Sequence, residues 1–200
     1  MGQLPFTEIF KGGKEGRQYI FESAAGVFTK KGYHKTTVEE IAAAIGVSKG
    51  TIYYYFKNKE ELYLAIIREG IDLFHEQLAK AAQSPAGPQD KIRKLIRGHF
   101  IFCEKEKDLV FLFLKELGST DFSREILADM LAKCLQVFRN VLEEGIAKKV
   151  FRPVNPEIIT SALFGMLTIT AFHYLSYSRG IPLELASLAL EDIFFNGICR

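Results

Sequence analysis

Two hundred residues allow one large or two modest domains with a full apolar core. With 48% hydrophobic residues and only 16 Gly and 6 Pro, the composition excludes a disordered or collagenous chain, and the three scattered cysteines (Cys103, Cys134, Cys199) exclude a disulfide framework. The formal net charge of +2 is uneven: residues 1–59 carry nine Lys/Arg against five Glu, and the remainder is mildly acidic. A basic head on an acidic body points to a polyanionic partner at the N-terminal end. The unpaired thiols predict a cytoplasmic setting, and the opening residues lack the apolar run of a secretory signal.

Apolar spacing is helical throughout, so the chain reads as all-α with roughly nine helices. Ile20, Ala24 and Phe28 recur at i, i+4, i+8, and Gly32 ends that first helix. Thr37 followed three residues later by Glu40 is a capping box that opens a short helix through Ile45, broken by Gly46. Ser48 caps a second short helix running through Phe56. Asn58 with Glu61 repeats the capping spacing and opens a long helix to about Gln83, stopped by "SPAGP". Ile92, Leu95, Ile96, His99 and Cys103 line one face of the next helix. "DLVFLFLKEL" is nearly all apolar and is expected to be buried. A long helix follows from about Ser123 to Lys149. Asn155–Pro156 then supplies an N-cap and a first-position proline, and Pro182 does the same for a last helix.

Two short helices joined through Gly46 have helix-turn-helix spacing, in which the second helix enters the DNA major groove. The composition of "SKGTIYYYFKNKEE" fits that use. Ser48 and the first-turn N–H groups can donate to phosphate, Lys49 adds a cation, and Gly50 leaves room for close approach. Thr51 offers a hydroxyl and a methyl to base edges. Ile52 and Phe56 are the expected buried pair. Because successive helical residues turn by about 100°, Tyr53, Tyr54 and Tyr55 cannot all face inward. Lys59 is expected to extend the cationic rim.

The segment "YIFESAAGVFTKKGYHKTTVEEIAAAIGVSKGTIYYYFKNKEEL" resembles the DNA-binding domain of the TetR family of bacterial transcriptional regulators. Matching positions include Ile20, Ala24, Phe28, Gly32, Tyr33, Thr37, Ile41, Ala42, Gly46, Val47, Ser48, Gly50, Tyr53, Phe56, Lys59 and Leu62. Tyr55 departs from the pattern, standing where many members carry histidine. The resemblance covers about a quarter of the chain. It implies a tail over 1–13, a DNA-binding domain over 14–74 with its motif at 37–56, and an effector-binding and dimerisation domain over 75–200. It further implies a homodimer on double-stranded, inverted-repeat DNA, acting as a repressor released by a small molecule. Carried over position by position, the DNA contacts are Thr37, Ser48, Lys49, Gly50, Thr51, Tyr53, Tyr54, Tyr55 and Lys59.

Residues 60–200 hold 12 of the 17 phenylalanines. Phe100, Phe111, Phe113 and Phe138 are either core or the wall of an apolar effector cavity between helices. His99 with Cys103, and His173 with Met166 and Thr170, read first as core groups and second as polar or wall positions of that cavity. No cationic cluster lies on these faces, so the expected effector is largely apolar, a long-chain acyl compound or a flat aromatic one. Ile158–Ser178 has no charged residue over a length that could span a bilayer of about 30 Å. In the TetR-like reading this helix (156–178) and the last (182–199) pair with their twins in the homodimer, with no membrane involved. No metal-spaced cluster, phosphate-binding glycine loop or nucleophile–base arrangement occurs. The isolated Asp108/Glu116 pair is too little for an enzyme, and neither metal nor cofactor is expected.

Overall fold

The computed structural model describes residues 13–117, 124–177 and 182–198. Among these there are nine helices: α1 (Gly13–Lys31), α2 (Val38–Ile45), α3 (Lys49–Tyr55), α4 (Lys59–Ala82), α5 (Pro88–Lys105), α6 (Lys107–Leu117), α7 (Arg124–Ala147), α8 (Pro156–Tyr177) and α9 (Leu183–Ile198). Most of the N-terminal tail, the chain at Ser123 and Ser178, and Cys199 lie outside the described residues.

The chain divides into two compact units, Met1–Gly70 with Asp108–Phe122, and Ile71–Lys107 with Ser123–Arg200. In the first unit, α1, α2 and α3 pack in sequence around Phe21, Phe28, Ile41, Ile45, Ile52 and Tyr63, all buried. The cut falls within α4, and α6 belongs to this first unit. Thr29 donates to the Asp108 carbonyl (3.2 Å), and a methyl group at Gly70 would stand only 3.2 Å from Leu109, so α4 and α6 meet closely there. The α6 helix is less buried than its composition predicts. Leu109 and Leu112 are inside, while Val110, Phe111, Phe113 and Leu114 are half-exposed. A single helix offers two opposite faces, and only one of them lies against the unit.

In the second unit α5 packs on α7, α8 and α9, with α8 also against α7 and α9. Phe100, Phe138, Phe151, Leu163, Leu167 and Leu95 form its core. Two long-range ion pairs fasten α5. Lys91 reaches Glu144 on α7 (2.8 Å), and Arg97 makes a two-pronged bond to Glu191 on α9 (2.7 and 3.2 Å). Gly145 is required where it stands, because a Cβ would lie 2.1 Å from the Phe151 ring. Asn155 caps α8 as its sequence predicts, accepting from the N–H groups of Glu157 (3.0 Å) and Ile158 (3.1 Å).

Candidate nucleic-acid interface and effector site

Local sequence builds the first site. Thr37 accepts from the Glu40 N–H while the Glu40 carboxylate accepts from the Thr37 N–H, so the capping box is complete. Gly46 ends α2 at φ +83°, a left-handed conformation that a side chain would strain. Ser48 caps α3 by accepting from the Thr51 N–H (3.0 Å), and its hydroxyl lies 2.8 Å from that of Thr51. Asn58 accepts from the Glu61 N–H (2.8 Å), but the Glu61 carboxylate reaches back to the Lys57 N–H (2.7 Å) rather than to Asn58.

Helix α3 is buried on one side only. Ile52 and Phe56 are inside, as their spacing requires. Tyr54 is 80% exposed and Tyr53 45%, whereas Tyr55 is half-buried with its ring 5.0 Å from that of Tyr54. Thr37, Ser48, Lys49 and Gly50 are exposed, and Thr51 is half-exposed. A Cβ at Gly50 would meet only the Ser48 hydroxyl, at an ordinary 3.6 Å. Nothing among the described residues therefore demands glycine there, although glycine disfavours a helix by up to about 0.8–1.0 kcal/mol relative to alanine at interior positions.

The two lysines part company. Lys49 is ion-paired with Glu39 at the solvent edge and stands 5.5 Å from the Tyr53 ring centroid. The hydrogen bond from Lys49 holds the Glu39 carboxyl below the usual range and raises the Lys49 amine. Both groups are about half exposed, so water and salt screen the pair and a phosphate can compete for the amine. Lys59 is engaged within the chain. Its ammonium donates to the carbonyls of Tyr33 (2.7 Å), Thr36 (3.0 Å) and His34 (3.4 Å) and lies 4.4 Å from the Tyr33 ring centroid. An ammonium has three donors, and all three face the turn between α1 and α2. This role leaves no trace in a sequence pattern, because its partners are main-chain atoms more than twenty residues away.

In the second unit the expected effector residues separate by burial. His99, Phe100, Cys103 and Phe138 are buried, and Met166 and Thr170 are half-buried. His173 is exposed, beside Tyr174 and Tyr177, which corrects its expected place on an inner face. Phe111 and Phe113 stand on α6 in the first unit. Sequence spacing does not single out Phe74 and Phe164, yet both rings pack on His99, at 5.3 and 5.4 Å between centroids. His99 is 2% exposed, and neither ring nitrogen has a hydrogen-bond partner. Burial pushes its pKa down to about 3, so the ring is neutral. Burial likewise pushes the Cys103 and Cys134 thiols up to about 12, far from a reactive thiolate. Among the described residues no three His, Cys, Asp or Glu side chains gather as metal ligands. Asp108 is half-exposed, and the side chain of Glu116 lies outside the described residues.

Helix α8 is the one described helix long and apolar enough to cross a membrane, and 33% of that stretch is buried within the chain. Its inner face is Thr160, Leu163, Phe164, Leu167 and Ala171. Its outer face, with Leu185, Leu188 and Ile193 of α9, exposes Ile158, Ile169 and Tyr177.

Comparison with known proteins agrees with this geometry. Residues 20–66 match the family described as bacterial regulatory proteins, tetR family, and residues 85–174 match the tetracyclin repressor-like C-terminal domain. The fatty acid metabolism regulator protein of Bacillus subtilis is 25% identical, with 90% of this chain and 93% of that one covered. The HTH-type transcriptional regulator RutR of Escherichia coli K12 is 27% identical, with 90% of this chain and 83% of that one covered. The structure of the B. subtilis transcriptional regulator FadR in complex with stearoyl-CoA superposes with a TM-score of 0.80 at 25% identity, covering 90% of this chain and 98% of that one. With an N-terminal helix-turn-helix and a helical C-terminal unit that each match the corresponding family part, the chain belongs to the TetR family of bacterial transcriptional regulators and is a DNA-binding protein, not an enzyme.

Proposed function

We propose that the protein is a repressor that binds an inverted-repeat operator as a homodimer and is released by a largely apolar acyl effector. The observation that carries the DNA reading is the outer side of α3: a glycine with no neighbour to explain it, beside exposed hydroxyls, rings and an amine. Thr51 faces a base edge, and Lys49 exchanges Glu39 for a phosphate. Thr37, Ser48, Tyr53, Tyr54 and Tyr55 offer hydroxyls to the sugar–phosphate backbone, and Gly50 admits that backbone closely. Lys59 acts at one remove, fixing the turn ahead of α2 against the start of α4.

The homodimer forms through α8 and α9 (156–178 and 182–199). The exposed stripe of Ile158, Ile169, Leu185 and Ile193 is apolar, and Ser161, Ala162 and Gly165 on the outer face of α8 are small. A Cβ at Gly165 would meet nothing within 4 Å, so a second helix has room to approach. Such a pairing covers the uncharged stretch from Ile158 onward without lipid and suits a cytoplasmic regulator over the domain limits 14–74 and 75–200. The effector reading draws on the aromatic second unit and on the likeness to a regulator seen with stearoyl-CoA. Helix α4 carries Lys59 near one end and Phe74 farther along, so a ligand that displaces Phe74 acts on a helix rooted in the DNA-binding turn. A nearly full switch needs about 5.5 kcal/mol of differential affinity between the two conformations.

The test is selection of bound fragments from random DNA, repeated with and without palmitoyl-CoA. A palindromic consensus lost on adding the thioester is the expected result. A consensus without symmetry removes the dimeric repressor, and binding indifferent to every acyl-CoA offered removes the acyl effector.

A further inference from the structure

His99 poses a problem that the fold itself does not answer. It lies in the middle of α5, and three phenyl rings from three helices surround it: Phe74 of α4 at 5.3 Å, Phe164 of α8 at 5.4 Å, and Phe100 of α5 at 5.9 Å. A neutral imidazole carries one N–H donor and one bare nitrogen, and both are buried here with no partner. Buried polar groups are normally paired by protein or by water, and an unpaired imidazole among aromatic rings is a place where the polar atom of a ligand can complete the set. The buried hydroxyls of Thr160, Thr168 and Ser187 also lack partners. A helical serine or threonine can turn its hydroxyl back onto the carbonyl one turn earlier, an alternative that an imidazole does not have.

The neighbouring charges narrow the ligand. On α5 itself, Arg93 is held by Asp90, Arg97 by Glu191 and Lys91 by Glu144. Among the described residues of this unit the buried ionisable side chains other than His99 are the cysteines and the acids Glu106 and Glu191. Among the described residues of this unit no buried Lys or Arg stands ready to neutralise a carboxylate at His99, and an ionised group without a counter-charge is costly to bury. A carbonyl is uncharged, accepts one hydrogen bond, and can be followed by an alkyl chain that packs on phenyl rings.

We infer that His99 is the hydrogen-bond donor for the carbonyl of an acyl ester or thioester effector, selecting it over the free acid and over carbonyl-free analogues. This rests on the acyl-effector reading above and assigns one atom of that ligand to one side chain. Phe74, Phe100 and Phe164 then flank the first carbons of the acyl chain. The bare nitrogen of the imidazole excludes a second acceptor at the same place, which favours a lone carbonyl over the two oxygens of a carboxylate.

The experiment compares palmitoyl-CoA with S-hexadecyl-CoA, a thioether lacking only the carbonyl, by calorimetry on the full chain below both micelle concentrations. Wild type should prefer the thioester by about tenfold, the size of one buried hydrogen bond. His99→Phe, which keeps an aromatic ring in the cage, should bind both within about twofold, while His99→Gln, which restores a donor, should recover part of the preference. Palmitate should bind more weakly than either CoA compound. A wild type without preference, or a His99→Phe protein that keeps it, overturns the assignment and leaves the acyl effector intact. Failure of wild type to bind either CoA compound overturns both. Should His99→Phe not fold, nitrogen-15 spectra of the wild-type imidazoles decide. One buried N–H resonance must shift with the thioester and not with the thioether, and equal shifts sink the proposal.

Discussion

In the first unit Thr37, Ser48 and Asn58 each satisfy a backbone N–H three residues away, whereas in the second Arg97 must reach 94 positions along the chain to meet Glu191. The contrast extends to what remains unpaired. Around α2 and α3 each cap hydroxyl or amide that the sequence predicts has its partner, and the conspicuous groups are left on the outside: Tyr53, Tyr54 and a glycine that nothing inside requires. In the helical bundle unpaired groups are inside, the His99 ring foremost, and apolar groups are outside, at Ile158, Ile169 and Ile193. Under the proposed function, α3 is finished before DNA arrives, because affinity then rests on a preformed face. The second unit, under the proposed function, leaves its unpaired and uncovered groups where a ligand and a second copy would meet them.

The largest expected effect tests how the bundle holds together. Phe138→Ala removes a buried ring that packs on Phe164 and should cost about 3–5 kcal/mol in urea unfolding. A loss below about 1 kcal/mol would mean that this unit collapses around the gap instead of sharing one rigid core.

Next comes the protonation of His99. The unfolded imidazole binds a proton at its ordinary 6.5 and the folded one only at about 3, so stability is full above 6.5 and falls as pH drops between the two. From pH 7 to pH 5 the wild type should lose about 2 kcal/mol more than His99→Phe, which has nothing there to protonate. Parallel curves for the two proteins would show that the ring finds water or a partner and that the contrast between units is false.

Gly50→Ala should separate folding from recognition. The unfolding midpoint should rise, by no more than the about 0.8–1.0 kcal/mol that glycine costs in a helix interior, while operator affinity falls. Unchanged affinity would leave the glycine without a reason on either side.

The smallest effect lies in salt dependence. Lys49→Met should lower the slope of log affinity against log salt by about 0.9 for each phosphate that the amine no longer neutralises, whereas Lys59→Met should weaken binding with the slope unchanged. A reduced slope for Lys59→Met would return that amine to the phosphate rim.

Much of the first unit was readable from neighbours in the chain. The capping box at Thr37, the stop at Gly46, the cap at Ser48 and the burial of Ile52 and Phe56 all follow from spacings of three or four residues. Contacts with distant partners are not legible in this way. Lys59 looked like a surface cation because the carbonyls of Tyr33, His34 and Thr36 carry no side-chain signature. Phe111 and Phe113 fall in a different compact unit from Phe100, a grouping set by topology and not by composition. His173 and His99 were both placed on apolar faces by the same rule. One is exposed and the other sealed, because the face of α8 turned to α5, α7 and α9 runs through Phe164 and Ala171 and leaves His173 aside.

The order of residues by itself determined the helices, their caps, the two-helix motif and the family to which they belong, since each depends on interactions within a turn or two of helix, whose geometry is nearly the same in every protein. Only the tertiary structure decided which cation is spent on the main chain, which histidine is without a partner, and which side of α8 faces outward. Those outcomes depend on contacts between residues dozens of positions apart, and nothing in a local spacing encodes which distant helix will arrive.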